Sequence, residues 1–485
     1  MGQSEEIVLT RMSNILMVAS EAAPYAKTGG LSDVVSSLPR ALTALGHKVA
    51  VLLPRYQETE RFAMRRIWDN LPLQLGPNLY NASVMQSEED ETFLFLDIPE
   101  LYNRAGLYGN ASGDFPDNAI RFAALARGAL ELARRVFLPD IFHCHDWQAG
   151  LLPVYQRQFS GDPTFLGIPT VMTIHNLGYQ GLFPAATLAQ AGIDSSFFTP
   201  QGLEFYGHVN YLKAGLVYSD WLTTVSRRYA DEIQTPEFGF GLDGLLRDRR
   251  AALTGILNGV DYSRWNPETD PLIPAHYSSS ALGGKADCKA ALLQEFDLPL
   301  ELALPLLGIV SRFTGQKGCD LIAASLPALL EEKSFNFVAL GSGELEYENL
   351  FRDLAARFPG QVGLRIGYDD GLAHRIEAGS DMFLMPSRYE PCGLNQIYSL
   401  RYGTVPVVRA TGGLDDTIDS DTGYKFTAYS GEALTHALRE ALAGYKNRTG
   451  WQAMMDIGMA RDFSWDSSAR EYDKLYSRLL NPEAA

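Results

Sequence analysis

Four stretches of this chain combine residue types that could do chemistry. The first reads Glu21-Ala22-Ala23-Pro24-Tyr25-Ala26-Lys27-Thr28-Gly29-Gly30, followed by Leu31-Ser32-Asp33. A glycine pair opening a helix lets the backbone approach a ligand and aims N–H groups at it, and a lysine beside them suits a diphosphate. The GxxxxGK[ST] spacing of a nucleoside-triphosphate loop is absent, and Gly341-Ser342-Gly343 stops short of GxGxxG because Glu346 holds the last position. The second stretch, His143-Cys144-His145-Asp146-Trp147-Gln148, stands at the C-terminal end of a strand, the edge where ligands bind in open α/β sheets. It is metal-like in composition. With the two histidines expected on alternate faces of a continuing strand and no third ligand at a suitable spacing, polar recognition or packing is the better reading.

In the third stretch, Ser311-Arg312-Phe313-Thr314-Gly315-Gln316-Lys317-Gly318, an arginine and a lysine five positions apart flank a glycine-bearing turn and can converge on one phosphate pair. The fourth, Pro386-Ser387-Arg388-Tyr389-Glu390-Pro391-Cys392-Gly393-Leu394-Asn395-Gln396, places a carboxylate where a helix begins, to accept sugar hydroxyls while the first N–H groups donate to others. Cys392 has no sequence-defined basic partner and reads as a small lining residue rather than a nucleophile. Thr411-Gly412-Gly413-Leu414-Asp415-Asp416 echoes the Thr28-Gly29-Gly30-Leu31-Ser32-Asp33 loop, which suggests two similar halves whose loops face each other across one cleft.

The elements that must hold these loops follow from hydrophobic patterning. Aliphatic and β-branched runs at 15–20, 48–53, 92–98, 140–143, 170–175 and 221–225 alternate with helix-length stretches, as in a parallel α/β sheet. A second series lies at 305–312, 335–341, 362–367, 382–386 and 405–409. Between them a loop-like segment carries Pro267, Pro271 and Pro274, so two doubly wound domains are expected, 1–262 and 263–485.

Composition narrows the partners. The 485 residues are 46% hydrophobic and carry 41 basic against 58 acidic side chains, a net charge of −17 that argues against nucleic acid or an anionic membrane. An anionic ligand would have to be captured by a few locally placed cations. Cys144, Cys288, Cys319 and Cys392 form no CxxC pair, and neither a signal-peptide pattern nor a membrane-length apolar run is present. A cytosolic protein is expected, with the stretch before Ser13 an unstructured extension.

Taken in order from about Asn14 to the end of the chain, KTGGL, HCHDWQAG, TIHNLGYQG, LNGVD, SRFTGQKG, PSRYEPCGLNQ and GTVPVVRATGGLDDTI resemble the bacterial glycogen synthase and plant starch synthase family. The resemblance implies a GT-B fold: an N-terminal acceptor-side and a C-terminal donor-side Rossmann-like domain facing across a cleft that closes. A final helix, about 461–480, is expected to cross back to the first domain. It also implies transfer of glucose from ADP-glucose to the non-reducing end of an α-1,4-glucan such as glycogen, with retention of configuration, and no metal or other cofactor. By the same resemblance, Lys27 and the Gly29 and Gly30 amides, with Asp33, hold donor phosphates or acceptor, and Arg312 and Lys317 neutralise the diphosphate. His145 contacts the transferred glucose near its 6-hydroxyl and supplies a carbonyl below the anomeric carbon, and Asn258 touches the same sugar. Glu390 holds the 3-hydroxyl with the amides of Cys392, Gly393 and Leu394, Tyr368 stacks on the adenine, and Thr411, Gly412 and Gly413 complete the substrate-binding set. Many retaining GT-B enzymes have a second glutamate eight positions after the first, where this chain has Tyr398. The alternatives are a UDP-glucose-dependent or other GT-B glucosyltransferase, or a catalytically silent glucan-binding protein.

Overall fold

The computed structural model describes residues 12–110 and 112–481, so the stretch expected to be an extension, apart from Met12, lies outside the described residues. The chain forms two compact units. The first comprises the described residues up to Val225, Ala230–Gly259 and the C-terminal segment from Trp465; the second comprises Ser226–Tyr229 and Val260–Ser464.

In the first unit a nine-stranded sheet contains β1 (Asn14–Val18), β2 (Lys48–Pro54), β3 (Met64–Leu75), β4 (Asn78–Ser87), β5 (Phe93–Asp97), β6 (Ile141–His145), β7 (Thr170–Ile174), β8 (Trp221–Thr224) and β9 (Leu253–Gly255). Their order is β9-β8-β7-β6-β1-β2-β5-β4-β3. β6 and β7 are buried along their whole length, as expected of parallel strands covered on both faces. Strands β3 and β4 are antiparallel and escape the aliphatic-run criterion, because β3 alternates exposed and buried positions and carries Arg65, Arg66, Asp69 and Asn70.

The second unit's six-stranded sheet is parallel: β10 (Leu306–Phe313), β11 (Asn336–Gly343), β12 (Val362–Ile366), β13 (Met382–Met385), β14 (Val405–Arg409) and β15 (Tyr424–Phe426), in the order β12-β11-β10-β13-β14-β15. Consecutive residues of β10 point to opposite faces: Leu307 and Ile309 join one core cluster, Leu306 the other.

Both units therefore place their first parallel strand between the second and the fourth. The direction of strand order reverses between β1 and β6 in one and between β10 and β13 in the other. At such a switch point the loops leaving the two strands diverge to opposite faces and open a crevice beyond their carboxyl ends.

Four helices start from these loops or brace the sheets behind them: α1 (Gly30–Ala44), α2 (Asn395–Arg401), α3 (Gly412–Thr417) and α4 (Trp465–Leu480). Helix α4 buries Trp465, Ala469, Tyr472 and Tyr476, spaced three or four apart along one stripe, in the same core cluster as Leu31, Val34 and Leu38 of α1. A fully buried Leu or Phe contributes about 1.5–3 kcal/mol, so this stripe is enough to bind the helix to the first unit.

Candidate functional sites at the two switch points

In the second unit, the loops after β10 and β13 carry the expected cations and carboxylate, and sheet order makes them neighbours. Arg312, next to last in β10, is exposed to solvent, with a guanidinium nitrogen 3.5 Å from Gln316 Oε1. Lys317 Nζ donates to Glu390 Oε2 at 2.5 Å, and the Ser387 hydroxyl donates to the same oxygen at 2.9 Å. The pair is sheltered, with side-chain exposures of 19% and 6%. Gly318 has φ +75, and an added Cβ would collide with the Pro386 carbonyl, so only glycine lets the two loops approach this closely. Arg409, the last residue of β14, donates to the carbonyls of Ser387, Arg388 and Thr427 and so fixes the loop that bears Glu390.

The glycine loop at α3 is committed to that same loop. Gly413 N donates to the carbonyls of Glu390 and Pro391, both at 3.1 Å, and Gly412, at φ +47, leaves no room for a Cβ against the Glu390 carbonyl. Thr411, Gly412 and Gly413 therefore shape the turn, and Gly413's amide is not available to a ligand. Cys392, Gly393 and Leu394 lead from Glu390 into α2, which Asn395 ties to β10 through a 2.8 Å bond to the Val310 carbonyl. Tyr368 is 81% exposed in the loop after edge strand β12, two strands from the switch point, its hydroxyl 3.1 Å from Asp370 Oδ1. Tyr398 is buried and stacks on Trp265 with centroids 3.9 Å apart; at this position the chain has a packing ring.

In the first unit, the loop after β1 binds itself. Lys27 Nζ meets Asp33 at 2.8 and 3.0 Å, and the Thr28 and Gly29 amides donate to Glu21 Oε2 at 2.5 and 3.3 Å. The Thr28 hydroxyl and Tyr108 share the other Glu21 oxygen. Of the two glycine amides expected to face a phosphate or acceptor, that of Gly29 already faces a carboxylate. Around Gly29 and Gly30 there is nonetheless nothing within 4 Å of an added Cβ, so the backbone surface of this turn is open.

Beside it, the end of β6 departs from expectation. His143 and His145 stack with centroids 4.2 Å apart, because residues two apart on a strand share a face. Among the described residues no group of three or more His, Cys, Asp or Glu could hold a metal ion. The His145 ring is wholly buried, and its Nδ1 lies 3.0 Å from Nε2 of His175, which follows β7 and retains 9% exposure. His175 is thus the outer ring of the two, and the His145 ring, expected to contact the sugar, lies behind it. Burial keeps these imidazoles neutral: the pKa values of His143 and His175 are pushed down to about 3, and that of His145 well below its ordinary value.

Asp146, which caps this strand end, sits at φ +55 and accepts the His175 amide at 2.7 Å; burial raises its carboxyl pKa to about 7. Asn258 is 6% exposed, with a side-chain oxygen that finds no partner among the described residues, as a polar ligand would require. Sequence reasoning misses Glu21, Asp146 and His175 as site residues, although each stands inside a motif that resemblance selects. What separates them from their neighbours is burial and hydrogen bonding, which spacing does not encode.

The two switch-point crevices and their charged loops define a glycosyltransferase of the GT-B α/β fold. Residues 14–248 match the starch synthase catalytic domain family and residues 294–453 the group 1 glycosyl transferases. A glycogen synthase of Koribacter versatilis is 51% identical over 481 residues, covering 97% of this chain and 99% of its own; one from Anaeromyxobacter sp. is 48% identical over 485 residues, covering 96% and 100%. The catalytic domain of starch synthase IV from Arabidopsis thaliana, solved bound to ADP and acarbose, superposes with a TM-score of 0.89 at 33% identity, covering 97% of this chain and 100% of that one. The chain belongs to the glycogen and starch synthase family.

Proposed function

We propose that this protein transfers glucose from ADP-glucose to the non-reducing end of an α-1,4-glucan, with retention of configuration. The observation that carries the reading is the sheltered Lys317–Glu390 pair beside Arg312 at the second unit's switch point. The bond from the anomeric carbon to the diphosphate breaks with its electron pair leaving on ADP, so negative charge grows there while positive charge grows on the sugar. Arg312 and Lys317, already in place, stabilise the departing phosphates without reorganisation, and the step needs no metal ion.

Glu390 accepts the sugar's 3-hydroxyl, with N–H groups of the Cys392–Leu394 turn donating beside it. The first unit by itself offers a sugar the His175 ring, the His145 main-chain carbonyl and the unpartnered oxygen of Asn258. Lys27, Asp33 and the open surface of Gly29 and Gly30 serve the glucan or donor, and Tyr368 stacks on the base. The acceptor's 4-hydroxyl attacks on the face the diphosphate leaves, through an ion-pair-like intermediate, and its proton passes to a departing phosphate oxygen. No carboxylate needs to act as a nucleophile, in contrast to the covalent route of retaining glycosidases.

Support comes from the names of the relatives and from the ADP and acarbose bound by the Arabidopsis neighbour. A cytosolic setting accords with four free cysteines. The test is incorporation of glucose into glycogen from ADP-glucose and UDP-glucose in parallel, with and without chelator, the product then digested by an α-1,4-specific glucosidase. Chelator-resistant transfer from ADP-glucose into digestible linkages is expected. Transfer confined to UDP-glucose, or a product resistant to digestion, overturns the donor or the stereochemistry respectively.

A further inference from the structure

The histidine stack of the first unit is held at both ends. His143 Nδ1 meets the Tyr476 hydroxyl of α4 at 2.8 Å, and its Nε2 meets Thr173 Oγ1 at 2.6 Å, which in turn lies 2.6 Å from Thr223 Oγ1. His143 stacks on His145, and His145 Nδ1 meets His175 Nε2. A continuous row of contacts thus runs from the C-terminal helix to the one ring of the three that has any exposure.

This row decides a tautomer. A neutral imidazole carries one N–H and one acceptor nitrogen. His145 Nε2 is buried with no partner among the described residues, so a proton there would be a stranded donor. An unmet acceptor is tolerated more readily than an orphaned N–H. The proton therefore sits on Nδ1 and is donated to His175 Nε2. That nitrogen then has to be an acceptor, which leaves the His175 proton on Nδ1, the nitrogen not engaged by His145.

We propose that His145 is a positioning residue that locks His175 into its Nδ1–H form, so that the outer ring presents a donor to a sugar hydroxyl, while Tyr476 and Thr173 hold His143 firmly beneath the pair. The sugar as ligand rests on the proposed glucosyl transfer; the tautomer does not. A role of this kind, one ring fixing the proton of another, parallels the outer partners that orient metal-binding histidines.

The test uses the full chain labelled with ¹⁵N-histidine, and correlation spectra that distinguish protonated from bare ring nitrogens. His175 signals are assigned by their loss in His175→Gln. Wild type is expected to show His175 as Nδ1–H, His145→Leu to show it redistributed between forms, and His145→Asn, whose amide N–H stands where Nδ1–H stood, to restore the wild-type pattern. In glucose transfer, His145→Leu should lower kcat about ten- to a hundredfold, the range for outer partners of functional histidines, with KM for donor and acceptor nearly unchanged. His145→Asn should recover most of that loss.

An Nε2–H form of His175 in wild type, or a His145→Leu protein with wild-type tautomer and turnover, overturns the proposal. If His145→Leu does not fold, the wild-type and His145→Asn spectra still decide. Should wild type show the expected tautomer yet transfer no glucose, the reaction is wrong and the histidine lock stands.

Discussion

Each unit sets a lysine–carboxylate pair at its switch point and a glycine-pair loop at the start of a nearby helix, and the two are used differently. In the first unit Lys27 and Asp33 are 40% and 31% exposed, and the amides of Thr28 and Gly29 donate to the buried Glu21. In the second, Lys317 and Glu390 are 19% and 6% exposed, and Gly413 N donates to the main chain of the glutamate loop. Exposed pairs are worth little in stability, whereas a sheltered pair is costly to break from one side. The comparison teaches that one strand order can hold charge rigidly in one unit and leave a lysine and an open turn adaptable in the other. It also separates glycines with open space around them, Gly29 and Gly30, from one needed for loop packing, Gly412.

The largest effect that would sharpen this contrast is at the sheltered pair. Glu390→Ala should lower kcat/KM about a hundredfold, as for loss of a charge-assisted hydrogen bond to substrate. Turnover near wild type, measured with saturating glycogen, would remove the carboxylate from the site. Next come the glycines: Gly412→Ala should destabilise the protein by about 1–3 kcal/mol through backbone strain and collision with the Glu390 carbonyl, read by urea unfolding. Gly30→Ala should leave the unfolding midpoint nearly unchanged while raising KM, and equal destabilisation by both would erase the distinction.

The buried histidines of the first unit should also leave a mark on the pH dependence of stability. His143 and His175 are held near 3 against about 6.5 in an unfolded chain, so acid protonates the unfolded form first, and the stability they contribute is lost as pH falls from about 6.5 toward 3. Asp146, raised to about 7, runs the opposite way: its contribution is complete below about 3.9 and is lost as pH rises through 7. Within the first unit His145 shifts in the same direction as the other two histidines, so three groups there oppose Asp146, and Glu377 of the second unit, raised to about 8 by burial, runs with Asp146. Thermal melts should fall from pH 6.5 to 4.5; a flat or rising midpoint would contradict the histidine burial. The smallest effect is at the exposed edge strand, where Tyr368→Ala should weaken ADP by about 1 kcal/mol, measured by calorimetry, if the ring stacks on the base. Unchanged affinity would assign the base elsewhere.

Much of this is legible in the sequence, because aliphatic runs specify buried parallel strands and because resemblance selects loops by their residues. What the sequence does not yield is side-chain partnership. Nothing in the spacing of KTGGL announces that Glu21 turns back onto its amides, and HCHDWQ does not say that His145 lies beneath His175. The antiparallel strands β3 and β4 escape for a related reason: half-exposed strands dilute their apolar signal with arginines and asparagines. Nor does spacing show that the His145 ring is buried behind His175, which the packing of β6 against β7 determines.

The central claim is that charge held at the second unit's switch point stabilises the departing diphosphate. The most direct measurement is steady-state glucose transfer from ADP-glucose to glycogen by Lys317→Ala and Lys27→Ala side by side, with kcat and KM separated. Lys317→Ala is expected to lose about a hundredfold or more in kcat, the scale of one preorganised electrostatic contact, while Lys27→Ala acts mainly on KM. A Lys317→Ala enzyme that turns over at nearly the wild-type rate, or a Lys27→Ala enzyme with the larger loss in kcat, would contradict the account.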